Sequence, residues 1–429
     1  MSFNDIVAWF YRLFGIKPKT TEKQRETNEL YATRYSDITG LNITALVAQR
    51  LSNLVVGDSV VSVTGDNPRA DYLDGCVQRY RRRLKNSVAE MLGAGGVVLK
   101  PYAHAGQLYV DVIPQARFAV IEQRGEVITQ AGFIAEIITR NNQTFTRTEL
   151  HTLRPNGVYT IEQRATMGTA AIPLTGVPEW ANIPPIQSIS GVDKMLFAVL
   201  RSPVDNRQGD NSVYGVPITY GQKKLLDEIA ELLNELQQEF VNKGVFIGVN
   251  EWLFDANNTL PAKGIYKKFK TDDDDFFEVF SPDIRVQSYI EGINYKLGLL
   301  EKAIGTNKGV LTDMETSDAT ATAIKRSSFD TWALINSIRT ELEEAIAQLV
   351  YAFEIIANVN GFAPQGQYEI VFDWDYTLLE DTQERFNQIQ SGLASGYIAP
   401  WEARAWVMNE SAEAAQQNLP EMTQLLDGA

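Results

Sequence analysis

Between residues 319 and 358, apolar side chains recur in steps of three and four: Trp332, Ile335, Ile338, Leu342, Ile346, Leu349, Phe353 and Ile356. That spacing gathers them on one face of a helix. No Gly or Pro interrupts the run, Asp318 can cap its start, and Gly361 follows its end. At about 1.5 Å per residue the pattern predicts a helix of roughly 55–60 Å. The preceding stretch, Thr306 to Ser317, is small and polar, with Val310 and Leu311 as its aliphatic pair, and reads as a loop. Periodicity alone makes the long element a core helix. A loop that runs into such a helix can also be presented at a distance.

Three more amphipathic stretches predict helices: 42–56, 71–92 and 222–242. The last places Leu225, Leu226, Ile229, Leu232, Leu233, Leu236 and Phe240 on one face. Glu228, Glu231, Glu235 and Glu239 form a carboxylate stripe at helical spacing. Residues 285–304 read as a further helix. Between these last two lies a compact mixed insert. It holds strands at 245–249 and 264–270, the aromatics Trp252, Phe254 and Tyr266, and the run Asp272, Asp273, Asp274, Asp275. Those aspartates lack the alternating spacing of a calcium loop. Residues 97–163 alternate as six strands with Gly and Asn turns and predict an antiparallel meander. Residues 173–212 carry several prolines and read as an extended connector. A strand at 368–376 and short helices after 380 complete the chain.

Composition then narrows the chemistry. Of 429 residues 44% are apolar, enough for real cores, and Asp plus Glu (54) exceed Lys plus Arg (39) for a net charge of −15. Such a protein does not grip nucleic acid by bulk charge, which requires basic groups that displace counterions. It can still surround DNA. Cys76 is the single cysteine, which excludes an intrachain disulfide and a thiolate metal cluster. His104 and His151 are the only histidines, and no sequence partner makes either a catalytic candidate. No cofactor or metal site is expected. The basic patch Arg79, Arg81, Arg82, Arg83 and Lys85 reads first as a solvated face. The glycines 93–96 follow a helix and precede a strand, the reverse of a dinucleotide loop, and therefore read as a helix stop. No apolar run reaches the roughly 20 residues that span a bilayer. Residues 6–16 read as a short amphipathic helix that docks on protein rather than on a membrane.

Three stretches carry a resemblance. The first is Ala94-Gly95-Gly96-Val97-Val98-Leu99-Lys100-Pro101-Tyr102, with the strand Gln107–Pro114 behind it. The second is Tyr214-Gly215-Val216-Pro217-Ile218, leading to Leu225-Leu226-Asp227. The third is Ala321-Thr322-Ala323-Ile324, followed later by Phe372-Asp373-Trp374-Asp375-Tyr376. In this order, over about 42–416, the chain resembles the portal proteins of tailed bacteriophages, especially the long-tailed phages of Gram-positive hosts. The resemblance implies an α+β portal fold. Residues 1–220 would form the N-terminal wing, 221–244 and 285–305 the two stem helices, and 245–284 a small α/β clip. Residues 306–318 would be the tunnel loop, 319–378 the long helix and wing strand, and 379–429 a short helical crown.

The same resemblance implies a non-enzymatic ring of about twelve copies at a capsid vertex, assembled in the host cytoplasm and retained in the virion. Double-stranded DNA would pass through it during packaging and ejection. Partners would be the terminase large subunit and head–tail adaptor at the clip (Trp252, Phe254, Tyr266, Asp273, Asp274), and the major capsid or scaffolding protein. The tunnel loop would offer Asn307, Lys308, Gly309, Val310, Leu311 and Thr312 to DNA, with Lys325 and Arg326 nearby. The acidic stripe Glu228, Glu231, Glu235 and Glu239 is a candidate channel wall, because carboxylates repel phosphates and favour sliding. The rival readings are another phage head or connector protein, and a metal-dependent nuclease built on Asp373 and Asp375. The chain has no phosphate-binding Gly-x-x-x-x-Gly-Lys-Ser/Thr loop of its own.

Overall fold

The computed structural model describes residues 35, 37, 40–57, 59–125, 127–207, 214–241, 246–250, 265–269, 277–280, 285–312, 321–374, 389–408 and 412–419. In chain order they begin with α1 (Ile43–Val56), β1 (Val60–Thr64) and α2 (Pro68–Ala94). The chain divides into two compact units, one of residues 1–55 and 62–371, the other of residues 56–61 and 372–429.

In the larger unit, α2 starts where its sequence provides a cap. The Asn67 side chain accepts from the N–H groups of Arg69 and Ala70, and Pro68 occupies the first turn, where its missing N–H costs nothing. The helix therefore begins three residues earlier than the apolar pattern alone suggests. It stops at Gly95, whose φ of +101° is left-handed and whose N–H bonds to Met91 O, as the glycine cluster requires.

The strand region is not one meander. The strands β2 (Gly96–His104) and β3 (Gln107–Pro114) form a hairpin. They join β10 (Ala198–Arg201) in a separate three-stranded sheet ordered β10-β2-β3. The true meander runs from β4 (Phe118–Arg124) through β5 (Val127–Arg140), β6 (Gln143–Leu153) and β7 (Val158–Met167) to β8 (Ala170–Ile172). A further strand, β9 (Ile186–Ser190), pairs antiparallel with β7. Both β9 and β10 fall in the stretch read as an extended connector. β9 is almost wholly exposed, and β10, though its burial alternates, spans only four residues whose sequence shows no polar and apolar alternation.

The two sheets share a core of Val98, Ile113, Phe118, Phe133, Tyr159 and Phe197. The Phe133 ring meets Phe197 edge-on at 5.0 Å and Phe118 at 5.2 Å. The long helix α5 (Ala321–Asn360) closes this core with Ala352. It spans 40 residues, within two residues of the predicted bounds at each end. Its C-terminal end is clamped by Arg69, which is 1% exposed. Arg69 Nε donates to Pro364 O at 3.0 Å, and Nη2 donates to Asn358 Oδ1 at 2.6 Å and Ala363 O at 2.5 Å.

The predicted helix pair is present as α3 (Lys223–Val241) and α4 (Val286–Ile304). Between them lie β11 (Phe246–Asn250), β12 (Ile265–Phe269) and β13 (Phe277–Phe280). The central strand β11 runs parallel to β12 and antiparallel to β13. In the C-terminal part, β14 (Glu369–Asp373) is followed by α6 (Pro400–Met408) and α7 (Ala412–Gln417). The predicted N-terminal helix at 6–16, most of the helix at 380–395, and Asp318 and Asp375 lie outside the described residues.

Candidate functional site

The helices α3 and α4 are tied at two levels. Lys296 Nζ lies 2.6 Å from Glu228 Oε2, and Arg285, at the start of α4, pairs with Glu239. Eleven residues separate 228 from 239 and 285 from 296, so the two helices run antiparallel and in step. The hydrogen bond from Lys296 and its charge hold the Glu228 carboxyl below its ordinary range. The acidic stripe is thus divided. Glu228 and Glu239 are half-buried and engaged by the neighbouring helix, while Glu231 and Glu235 remain exposed.

At the C-terminal end of α4 the chain turns through Gly305, which has φ +80°, into the loop. Glu301 organises that loop. Its backbone O accepts from Thr306 N at 2.8 Å. Its side chain is fully buried. Glu301 Oε1 accepts from the N–H groups of Gly309 (3.1 Å), Leu311 (2.6 Å) and Thr312 (3.2 Å). Glu301 Oε2 accepts from Thr312 Oγ1 at 2.8 Å. Asn307 N donates to Thr331 Oγ1 on α5 at 2.9 Å, and Arg50 of α1 donates to Val310 O. Lys308 is exposed. Glu301 was not singled out from the sequence, although an acid in the last turn of a helix opposes the dipole and needs a reason.

The remaining predicted positions are placed less fully. Lys325 and Arg326 stand in the first turns of α5, and Tyr266 lies on β12. Trp252, Phe254, Asp273 and Asp274 lie outside the described residues. Among the described residues no group of three or more His, Cys, Asp or Glu side chains could hold a metal ion. None of the described helices is long and apolar enough to cross a membrane. Two members of the basic patch serve β3: Arg79 donates to Leu108 O and Gln107 Oε1, each at 2.5 Å, and Arg83 to Val110 O at 3.2 Å.

His151 is a buried core residue, and its partners there are ones that the sequence did not reveal. Alternation on β6 puts Arg147, Glu149 and His151 on one face. Lys100, from β2, lies with its Nζ 2.6 Å from Glu149 Oε2. His151 Nε2 is 3.1 Å from the same oxygen, and Nδ1 is 2.6 Å from Tyr159 Oη. Arg147 Nη1 donates to Glu149 Oε1 at 2.6 Å and to Gln163 Oε1 at 2.7 Å. Burial alone would raise the Glu149 pKa. The Lys100 ammonium, the His151 hydrogen bond and the Arg147 guanidinium outweigh it and hold the carboxyl well below the usual range. Burial lowers the His151 pKa, so the ring is neutral, donating from Nε2 to Glu149 and accepting from Tyr159. The group borders a cleft of about 850 Å³. Arg147 Nη2 also lies 3.6 Å from Glu136 Oε2, so two cations meet two carboxylates, and the group ties β2 to β5 and β6 as a structural lock between the two sheets.

Residues 219–421 match the family model described as "Phage portal protein, SPP1 Gp6-like". That segment holds α3, the inserted sheet, α4, the loop, α5 and the C-terminal helices, and over it the chain is similar to phage portal proteins. The resemblance drawn from the sequence is borne out there. Among solved structures, a chain of "Virion of native gene transfer agent (GTA) particle" is similar at 12% identity and a TM-score of 0.44, covering 95% of this chain and 94% of that chain. No curated protein matches the chain.

Proposed function

We propose that the chain is a portal subunit, and that copies of it close into a ring at one capsid vertex through which DNA is packaged and later ejected. The observation that carries this is the family match over 219–421, a segment in which a tied antiparallel helix pair brackets a small sheet and leads through a pinned loop into a long helix. In this reading α3 and α4 are the stem, the sheet of β11, β12 and β13 belongs to the clip, and residues 306–312 begin the tunnel loop. The clip is the docking site for a packaging motor and then for an adaptor. Glu231 and Glu235 are the exposed carboxylates left to form an acidic wall, which keeps the duplex sliding.

Lys308, on the loop, supplies a transient phosphate contact, and Lys325 and Arg326 at the start of α5 do the same. The subunit is structural; the work of translocation falls to a separate motor. Ring closure needs a head-to-tail contact between copies. The test is particle assembly with and without this chain, with nuclease-protected DNA as the readout. Particles lacking it should hold no protected DNA, and full particles assembled without it would refute the reading.

A further inference from the structure

Glu301 sits in the last turn of α4, where the unsatisfied carbonyls carry partial negative charge, yet its carboxylate is fully buried. The loop compensates for this. Three backbone N–H groups, from Gly309, Leu311 and Thr312, converge on Oε1, and the Thr312 hydroxyl donates to Oε2. Gly309 has φ +110°, a conformation that lets neighbouring N–H groups turn toward one point. A concavity of converging N–H groups is an anion-binding nest, and a phosphate oxygen would occupy the place that Glu301 Oε1 holds.

We propose that Glu301 is a built-in substitute for phosphate. It fills the nest of residues 309–312, holds the loop in one form, and withholds those donors from a polyanion passing the loop. The inference rests on the channel reading for the identity of that polyanion, double-stranded DNA. It assigns the loop a specific chemistry: backbone donors are masked, and Lys308, on a flexible side chain, is left to make brief contacts. A loop whose N–H groups were free would grip phosphate with fixed geometry and impede sliding.

The test uses the full-length protein and two readouts. The first is trypsin cleavage of the Lys308–Gly309 bond, quantified by mass spectrometry, since cleavage requires Gly309 to leave Glu301. The second is binding of a short blunt DNA duplex at low salt, followed by anisotropy, with inorganic phosphate as competitor. Glu301→Ala should speed the cut roughly tenfold, the effect of losing charge-assisted hydrogen bonds, and should tighten duplex binding severalfold in a phosphate-sensitive way. Thr312→Val, which removes one donor, should speed the cut less. If Glu301→Ala melts like the parent and its cut is unchanged, the proposal is overturned. A faster cut with unchanged duplex binding overturns the masking claim. If Glu301→Ala does not fold, Thr312→Val decides by the same cut. Failure of the channel reading shows separately, as a protein that forms no ring while its loop responds to Glu301 as described.

Discussion

Gly95 and Gly215 meet backbone to backbone. A Cβ added to Gly215 would lie 1.9 Å from Gly95 O, and one added to Gly95 would lie 2.6 Å from Gly215 O. Gln115 locks the junction, donating from Nε2 to Gly215 O at 3.0 Å and accepting from Gly215 N at 2.9 Å. Two of the three stretches that carry the family resemblance are therefore one structural feature. Gly215→Ala should destabilise the protein by about 3 kcal/mol, the upper range for forcing an atom into packed backbone. Chemical denaturation measures this, and a loss below about 1 kcal/mol would mean that the contact relaxes freely.

The lock at Glu149 and His151 predicts an acid-sensitive fold. Both groups have lowered values in the folded state. The His151 contribution is present above the unfolded imidazole value of about 6.5 and fades as pH falls below it. The Glu149 contribution is present above about 4.3 and is lost at lower pH. Melting temperature should fall from about pH 7 to about pH 5. His151→Gln should melt lower at neutral pH yet lose less on acidification. An identical pH slope in parent and variant would remove His151 from this account.

Arg69 predicts a second stability effect. Its guanidinium supplies donors to Pro364 O, Ala363 O and Asn358 Oδ1 at the end of α5. Arg69→Leu would remove three charge-assisted hydrogen bonds made by a buried guanidinium, at a cost of about 3 kcal/mol. Denaturant midpoints report it, and hydrogen exchange should locate the loosening in the last turns of α5.

The surface between copies is predicted from large apolar side chains that the described residues leave exposed. Tyr295 (69% exposed) and Leu299 lie one turn apart on α4, and Phe329 (64% exposed) and Trp332 one turn apart on α5. Large side chains of this kind dominate contacts between subunits. Tyr295→Lys and Phe329→Lys should each shift the protein from rings toward monomers in sedimentation velocity. Rings that survive both changes would put the contact on another face.

How much of this was legible depended on how local the cause was. The helices α3, α4 and α5 follow from apolar periodicity, and Gly95 and Gly361 end α2 and α5 because only glycine takes their left-handed turns cheaply. The strands β2 to β7 were readable in order, whereas β8, β9 and β10 were not. The division into two sheets was not readable either, because β10 reaches β2 across about a hundred residues of chain. The site residues divide in the same way. Arg147, Glu149 and His151 alternate along β6, and that period-two pattern could have been noticed, but Lys100 joins them only through tertiary packing. The stripe on α3 was visible, whereas its partners Lys296 and Arg285 become apparent only when the helices run antiparallel. Glu301 was hidden because its partners are backbone N–H groups, which every sequence has.

The central claim is that copies of this chain close into a channel. Electron microscopy of the purified protein, with class averages viewed down the symmetry axis, tests it most directly. The account predicts closed rings of about twelve copies around a central hole. Dispersed monomers or open filaments, persisting at every concentration and in the presence of capsid components, would contradict it.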